Sequence, residues 1–311
     1  MKKNDFISFM YSVIHELEAG NYHGTAHVYK SSLKNFLTFC QKEHFAFSRM
    51  TPDLLKDFED YMRKRQLSWN TISTYLRAIR ATYNRAVDKY LAPYVPRLFK
   101  HVYTGTRADK KRALDVKDMS CVFQTLKALN TPEVLRRSQG LFVLMFMLRG
   151  LPFVDLVYLQ KKDLNGNVLT YRRRKTGRLL TVIIPQEAIR LMEENMDRNP
   201  HSPYLFSFLK GEENSEQAYQ TYQLALRNFN HHLSLISDML QLGCNLSSYT
   251  ARHTWATLAT LAYYCNVHPG VISEEMGHSS IAVTETYLKP FSQNRIREAN
   301  DKIISSIQRN C

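Results

Sequence analysis

Apolar residues recur through the first hundred positions with a period close to 3.6, the spacing that lines one face of an α-helix. Phe6, Phe9, Met10, Val13, Ile14 and Leu17 make one stripe, and Tyr29, Leu33, Phe36, Leu37 and Cys40 a second. Thr51-Pro52 predicts a helix start, an oxygen cap followed by proline in the first turn. Leu54, Leu55, Phe58, Tyr61 and Met62 form the buried face behind it. A fourth helix is expected from about Asn70 to Lys89. It buries Ile72, Tyr75, Leu76, Ile79 and Tyr83 and carries Arg77, Arg80 and Arg85 on its other side.

Residues 92–112, APYVPRLFKHVYTGTRADKKR, interrupt this period with two prolines, a glycine and six Lys or Arg. They read as an extended basic linker. Helical periodicity resumes at Val116–Leu129 and Glu133–Leu148. Two β-rich runs within residues 167–185 then flank Lys-Thr-Gly, which predicts a hairpin with Gly177 in the turn. Further helices are expected at Gln186–Met196, Gln217–His232, Thr250–Tyr263, Val271–Met276 and Ile281–Tyr287. A last amphipathic stretch, Ser292–Ile307, repeats Ile296, Ala299, Ile303 and Ile307. The fold class that follows is mainly α with a small β component. An N-terminal helical bundle (1–100) is joined by the linker (101–112) to a mixed α/β domain (113–311).

Composition narrows the class. With 44% hydrophobic and 23% charged residues in 311, the chain reads as a soluble globular protein. No apolar run approaches the roughly 18–20 residues that cross a bilayer, so no membrane partner is expected. The N-terminal MKKNDFISFMYSV lacks a cleavage site and reads as a helix, not a leader, so a cytoplasmic location is expected. Five widely spaced cysteines without a C-x-x-C pair exclude a disulfide framework and a structural zinc site. No histidine cluster has metal-ligand spacing, and neither metal nor cofactor is expected. The net charge of +14 changes the picture most. Residues 1–110 hold 18 Lys and Arg against 10 Asp and Glu. Such a surplus suits a polyanionic partner, of which nucleic acid is the commonest. Arg77, Arg80 and Arg85 offer one basic helix face to it, although a solvated face has the same pattern. Lys110, Lys111 and Arg112 in the linker can follow a phosphate backbone.

Metal-free chemistry on a phosphodiester needs fixed cations, a nucleophile, and an acid for the leaving alkoxide. Arg149 follows the apolar run LFVLMFML, with Asp155 six residues on as a candidate salt-bridge partner. Lys175 lies at the hairpin tip after Arg172, Arg173 and Arg174, and the latter two are candidate DNA contacts. Arg252 and His253 open the helix ARHTWATLATLA, and His278 sits in MGHSS. Each residue taken singly also fits a structural role: a helix-dipole partner, a solubilising tip, a packed helix end.

Their order does not. Arg, a hairpin Lys, YTARHTWAT, GHSS, and Tyr287 nine residues after the histidine together resemble the tyrosine recombinases, or phage-type integrases. The resemblance spans the whole chain and is strongest at ARHTWATLA and MGHSSIAVTETYL. It implies an N-terminal core-binding domain and a catalytic domain of the DNA breaking-rejoining type. Arg149 and Arg252 would clamp the scissile phosphate, Lys175 would protonate the departing 5′-oxygen and His278 would bond a non-bridging oxygen. Tyr287 would attack phosphorus to give a 3′-phosphotyrosine. Residues 292–307 would pack on a neighbouring protomer within a synaptic tetramer.

Two departures mark a divergent subgroup. Tyr249 stands three residues before Arg252, where the family usually has histidine. An imidazole can take a proton near neutral pH and a phenol, as a class, cannot, so Tyr249 is expected to contact phosphate only. RGLPFVD also replaces the commoner glycine-leucine-arginine lead-in. A type IB topoisomerase and a DNA-binding protein on a decayed recombinase scaffold are the alternatives.

Overall fold

The structure, a computed structural model, describes residues 5–107, 113–124, 131–262, 268–277, 280–285 and 297. The chain divides into two compact units: Met1–Lys110 with Gly211–Gln220, and Lys111–Lys210 with Thr221–Cys311.

The first unit is built from α1 (Phe6–Ala19), α2 (His23–Cys40), α3 (Pro52–Lys64) and α4 (Trp69–Asp88). Their caps are local and polar. Asp5 accepts the Ser8 N–H at the start of α1, Thr51 accepts that of Leu54 at α3, and Ser68 that of Thr71 at α4. The expected stripes meet in one core around Phe36. Its ring lies edge-on to those of Phe6, Phe45 and Phe58 at 5.2–5.4 Å, the arrangement that ring quadrupoles favour.

The expected extended linker departs from this picture. Leu98, Phe99 and Val102 are buried in the same core. The buried Glu59 carboxylate accepts the Tyr103 N–H, Ser73 donates to Gly105 O, and Asn70 brackets the Arg107 backbone at 2.7 and 2.9 Å. Residues 98–107 are therefore docked onto α3 and α4, because their apolar side chains and backbone groups find partners there. Lys110, Lys111 and Arg112 lie outside the described residues.

The second unit centres on α6 (Glu133–Met147), preceded by α5 (Val116–Gln124). Gly140 through Met145 are all buried, as expected of a helical segment that is apolar all round. Small residues on α10 (Ser248–Ala262) let it pack closely: Ala251, Thr254 and Ala256 are fully buried. A short helix, α7 (Phe153–Tyr158), escapes the periodicity because six residues carry less than two turns of pattern. Its Phe153 stacks on Phe229 of α9 (Glu216–Met239) at 4.4 Å.

The sheet is antiparallel in the order β1 (Leu164–Asn165), β2 (Val168–Arg172), β3 (Leu179–Ile183). Leu169 faces Val182 and Tyr171 faces Leu180, all four turned inward, and Gly177 takes φ +69° in the turn. After α8 (Gln186–Asn195) and α10 come α11 (Pro269–Glu275) and α12 (Ile281–Glu285). No helix among the described residues is long and apolar enough to cross a membrane.

Candidate active site

Two arginines distant in sequence, Arg149 and Arg252, meet at the end of α6. The helix closes with the Gly150 N–H donating to Phe146 O, the bond of an αL-type stop, and the Leu151 N–H donating to Met145 O. Arg149 at φ +59° and Gly150 at φ +69° are both left-handed. For a non-glycine residue that conformation costs roughly 1–2 kcal/mol. It persists here because α10 packs directly on the turn. A Cβ on Gly150 would lie 3.0 Å from the Arg252 Cα. Close approach and positive φ together exclude any other residue at 150.

Arg252 is 3% exposed, and its guanidinium donates to Gly150 O at 3.0 Å and Met276 O at 2.7 Å. Arg149 stays half-buried, with Nε 2.9 Å from the Glu275 carboxylate of α11. The expected Arg149–Asp155 pair is not formed. The buried Asp155 carboxylate instead receives Arg173 Nε at 3.4 Å and the Arg174 N–H at 2.9 Å. The register of β2 brings those groups to α7, whereas the reversal at Arg149 sends its side chain towards α11. Burial is the largest influence on Asp155 and raises its pKa. The Arg174 N–H and the charges of Arg173 and Arg252 pull the other way.

Arg173 also departs from expectation as a DNA contact. It is only 7% exposed, and its Nη1 donates to Met276 O at 3.0 Å and Gly277 O at 3.1 Å. Arg173 and Arg252 together satisfy carbonyls at the C-terminal end of α11, where backbone oxygens lack partners and carry partial negative charge. A Cβ on Gly277 (φ +62°) would lie 2.8 Å from the Arg173 Cδ, so this residue too must be glycine.

Lys175 is exposed in the hairpin turn, which the Arg173 N–H closes onto Arg178 O and the Gly177 N–H onto Arg173 O. Arg174 is exposed and lies over the Tyr158 ring at 3.7 Å. Tyr249 is 43% exposed one turn before Arg252, its ring 4.9 Å from that of His253. Tyr171 is a buried phenol whose pKa burial pushes well up, Asp155 adding to the rise, so it is poorly suited to nucleophilic attack. His278, Tyr287 and residues 292–307, apart from 297, lie outside the described residues.

The described centre thus gathers three guanidiniums around two carboxylates, a surplus of positive charge suited to a phosphate, with Lys175 two residues from Arg173 on the exposed turn. Glu275 and the Asp155–Arg173 lock are absent from the sequence-based site. Nothing in their local pattern distinguishes them, since each partner lies 18 or more positions away.

In the first unit the basic residues of α4 divide. Arg77 is exposed and, among the described residues, bonded only to its own helix, through Ser73 O and Thr74 Oγ1. Arg80 reaches Thr104, and Arg85 is paired with Glu16 at 2.6 Å. Arg63 and Arg107 lie over the Trp69 ring at 4.2 and 4.5 Å.

Comparison with known proteins agrees with this architecture. The profile of the phage integrase SAM-like domain matches residues 5–100, and that of the phage integrase family matches residues 122–294. The fold is similar to that of the Tn1549 transposon integrase solved with transposon right end DNA. The TM-score is 0.68 at 14% identity, covering 96% of this chain and 99% of that one. A lambda integrase dimer bound to a core site gives 0.63 at 12% identity, covering 92% and 96%. The XerH site-specific recombinase bound to its difH substrate gives 0.58 at 18%, covering 90% and 81%.

Proposed function

From the premise that this chain belongs to the phage integrase family and is a site-specific DNA recombinase of the tyrosine type, we propose how its residues divide the reaction. Arg149 and Arg252 hold the non-bridging oxygens of the scissile phosphate, with Tyr249 donating a further hydrogen bond and His278 another. The Tyr287 phenolic oxygen bonds phosphorus as the P–O5′ bond breaks. Its proton passes to water, and the Lys175 ammonium gives a proton to the departing 5′-oxygen. The products are a 3′-phosphotyrosine and a free 5′-hydroxyl. The phosphodiester energy is kept in the new bond, so a partner 5′-hydroxyl can reverse the step.

The observation that carries this reading is the meeting of Arg149 and Arg252 across Gly150. Arginine cations fixed in a largely buried site need little reorganisation as charge develops on phosphorus. Arg77, Arg80, Arg85 and Arg174, with Lys110, Lys111 and Arg112, are assigned to the DNA backbone. Arg85 contributes only when it leaves Glu16. The Tn1549, lambda and XerH enzymes were each solved on DNA, which supports duplex DNA as the partner. Residues 292–307 are assigned to a neighbouring protomer in a synaptic tetramer, and the site of action to the cytoplasm.

The test is covalent capture. Wild-type protein is incubated in excess chelator with a pool of nicked duplexes of randomised sequence, and detergent-resistant adducts are recovered and sequenced. One defined duplex should emerge, and Tyr287→Phe should form no adduct with it. An adduct of undiminished yield from Tyr287→Phe would overturn the nucleophile assignment.

A further inference from the structure

The division of labour above gives Arg173 no task, yet Arg173 is the most constrained member of the basic run 172–175. Arg172, Arg174 and Lys175 are exposed and Arg173 is buried. Burying a guanidinium costs several kcal/mol unless its N–H groups are met. Here they are met from two elements at once: Asp155 on α7, and the carbonyls of Met276 and Gly277 where α11 ends. Asp155 also takes the Arg174 N–H, so a single carboxylate grips two consecutive residues of the hairpin.

We propose that Arg173 is the positioning residue for the general acid: it locks the turn bearing Lys175 to α7 and to the end of α11. The inference rests on Lys175 being that acid. Lys175 makes no hydrogen bond with another described residue, so its place is inherited from the turn. That turn is closed on Arg173 at both ends, through the Arg173 N–H to Arg178 O at 2.9 Å and the Gly177 N–H to Arg173 O at 2.8 Å. The Arg252 guanidinium donates to the same Met276 carbonyl as Arg173. One backbone oxygen thereby references both the acid's turn and a phosphate-binding arginine. Gly277 keeps this space open, because any side chain there would displace Arg173.

A purely structural role and a role exercised through Lys175 separate when the leaving group changes. The probe is the nicked duplex captured by wild-type protein, synthesised with either oxygen or sulfur as the 5′-bridging atom at the scissile phosphate. With oxygen, the P–O5′ bond breaks and the alkoxide takes the acid's proton. With sulfur, the P–S bond breaks and the thiolate leaves with its electron pair and no proton, since thiols have a reference pKa near ~8.5. General acids contribute roughly 10²–10⁴-fold. Arg173→Gln and Lys175→Ala should therefore both cleave the oxygen duplex at least ~10²-fold slower than wild type. Arg173→Lys should recover part of that rate. On the sulfur duplex both defects should shrink to within about three-fold of wild type, with DNA affinity unchanged throughout.

If Lys175→Ala is rescued by sulfur and Arg173→Gln is slow on both duplexes, Arg173 does not act through the acid and the proposal is overturned. If Lys175→Ala itself gains nothing from sulfur, the acid assignment fails and the inference falls with it. Should Arg173→Gln not fold, Asp155→Asn takes its place in the same comparison. That change weakens the lock while keeping an oxygen for the Arg174 N–H.

Discussion

The two units use charge in opposite ways. The first holds itself together with aromatic and aliphatic packing around Phe36 and keeps nearly all its charged groups at the surface, with Asp5 and Glu59 the buried exceptions among the described residues. The second places Asp155, Arg173 and Arg252 at its centre with exposures of 2%, 7% and 3%. An apolar cluster of similar volume is often as stable as a buried ion network or more so. A unit that keeps such a network is therefore shaped by something besides stability, and here the network includes Arg252, to which the proposed mechanism gives the scissile phosphate. The bundle is organised as a scaffold, the second unit around chemistry.

Single substitutions can break this contrast, and the two tryptophans make it measurable. Trp69 lies in the first unit and Trp255 in the second, so a single-tryptophan background reports each unit's unfolding. The largest stability effects should be equal in size and opposite in place. Phe36→Ala should cost about 3–5 kcal/mol, read by Trp69, and leave the Trp255 transition where it was. Asp155→Ala strands the Arg173 guanidinium and should cost about 3–5 kcal/mol, read by Trp255. If Asp155→Ala leaves the Trp255 midpoint unmoved, the buried network is not holding the second unit.

A smaller effect concerns pH. Burial alone would raise the Asp5 carboxyl. The N–H and hydroxyl of Ser8, the N–H of Phe45 and the charge of His44 outweigh it and hold its pKa below the usual carboxylate range. A depressed folded pKa means that its contribution is present above the unfolded value near ~3.9 and is lost as pH falls through the folded one. The Trp69 transition should weaken below about pH 4, and Asp5→Asn should flatten that slope. A slope unchanged by Asp5→Asn would assign the acid sensitivity elsewhere.

The smallest effect is local: Thr51→Ala removes the α3 cap and should cost about 1 kcal/mol, again visible to Trp69 alone.

The same contrast explains what could be read from the chain. In the bundle, structure follows local pattern: the stripe from Phe6 to Leu17, the Thr51-Pro52 start and the face from Ile72 to Tyr83 all became helices with the expected sides buried. The Lys-Thr-Gly hairpin was legible for the same reason, since a turn and two short alternating runs are neighbours in sequence. In the second unit the informative relations are distant. Asp155 was expected with Arg149, six residues away, and found Arg173, because a helix stop at Gly150 and a strand register decide the pairing. From the sequence Arg173 reads as one of two candidate DNA contacts in a basic run. Only the arrival of Gly277, more than a hundred residues later, buries it. Residues 92–107 depart in the other direction, the prolines at 93 and 96 and the cations around them masking Leu98, Phe99 and Val102.

The central claim is that this arginine centre serves a phosphate attacked by one particular tyrosine among eighteen. The most direct measurement digests the captured protein–DNA adduct with nuclease and protease and sequences the peptide that retains a nucleotide. The account predicts a 3′-phosphonucleotide on Tyr287. The same mass on Tyr249, Tyr171 or any other side chain would contradict it.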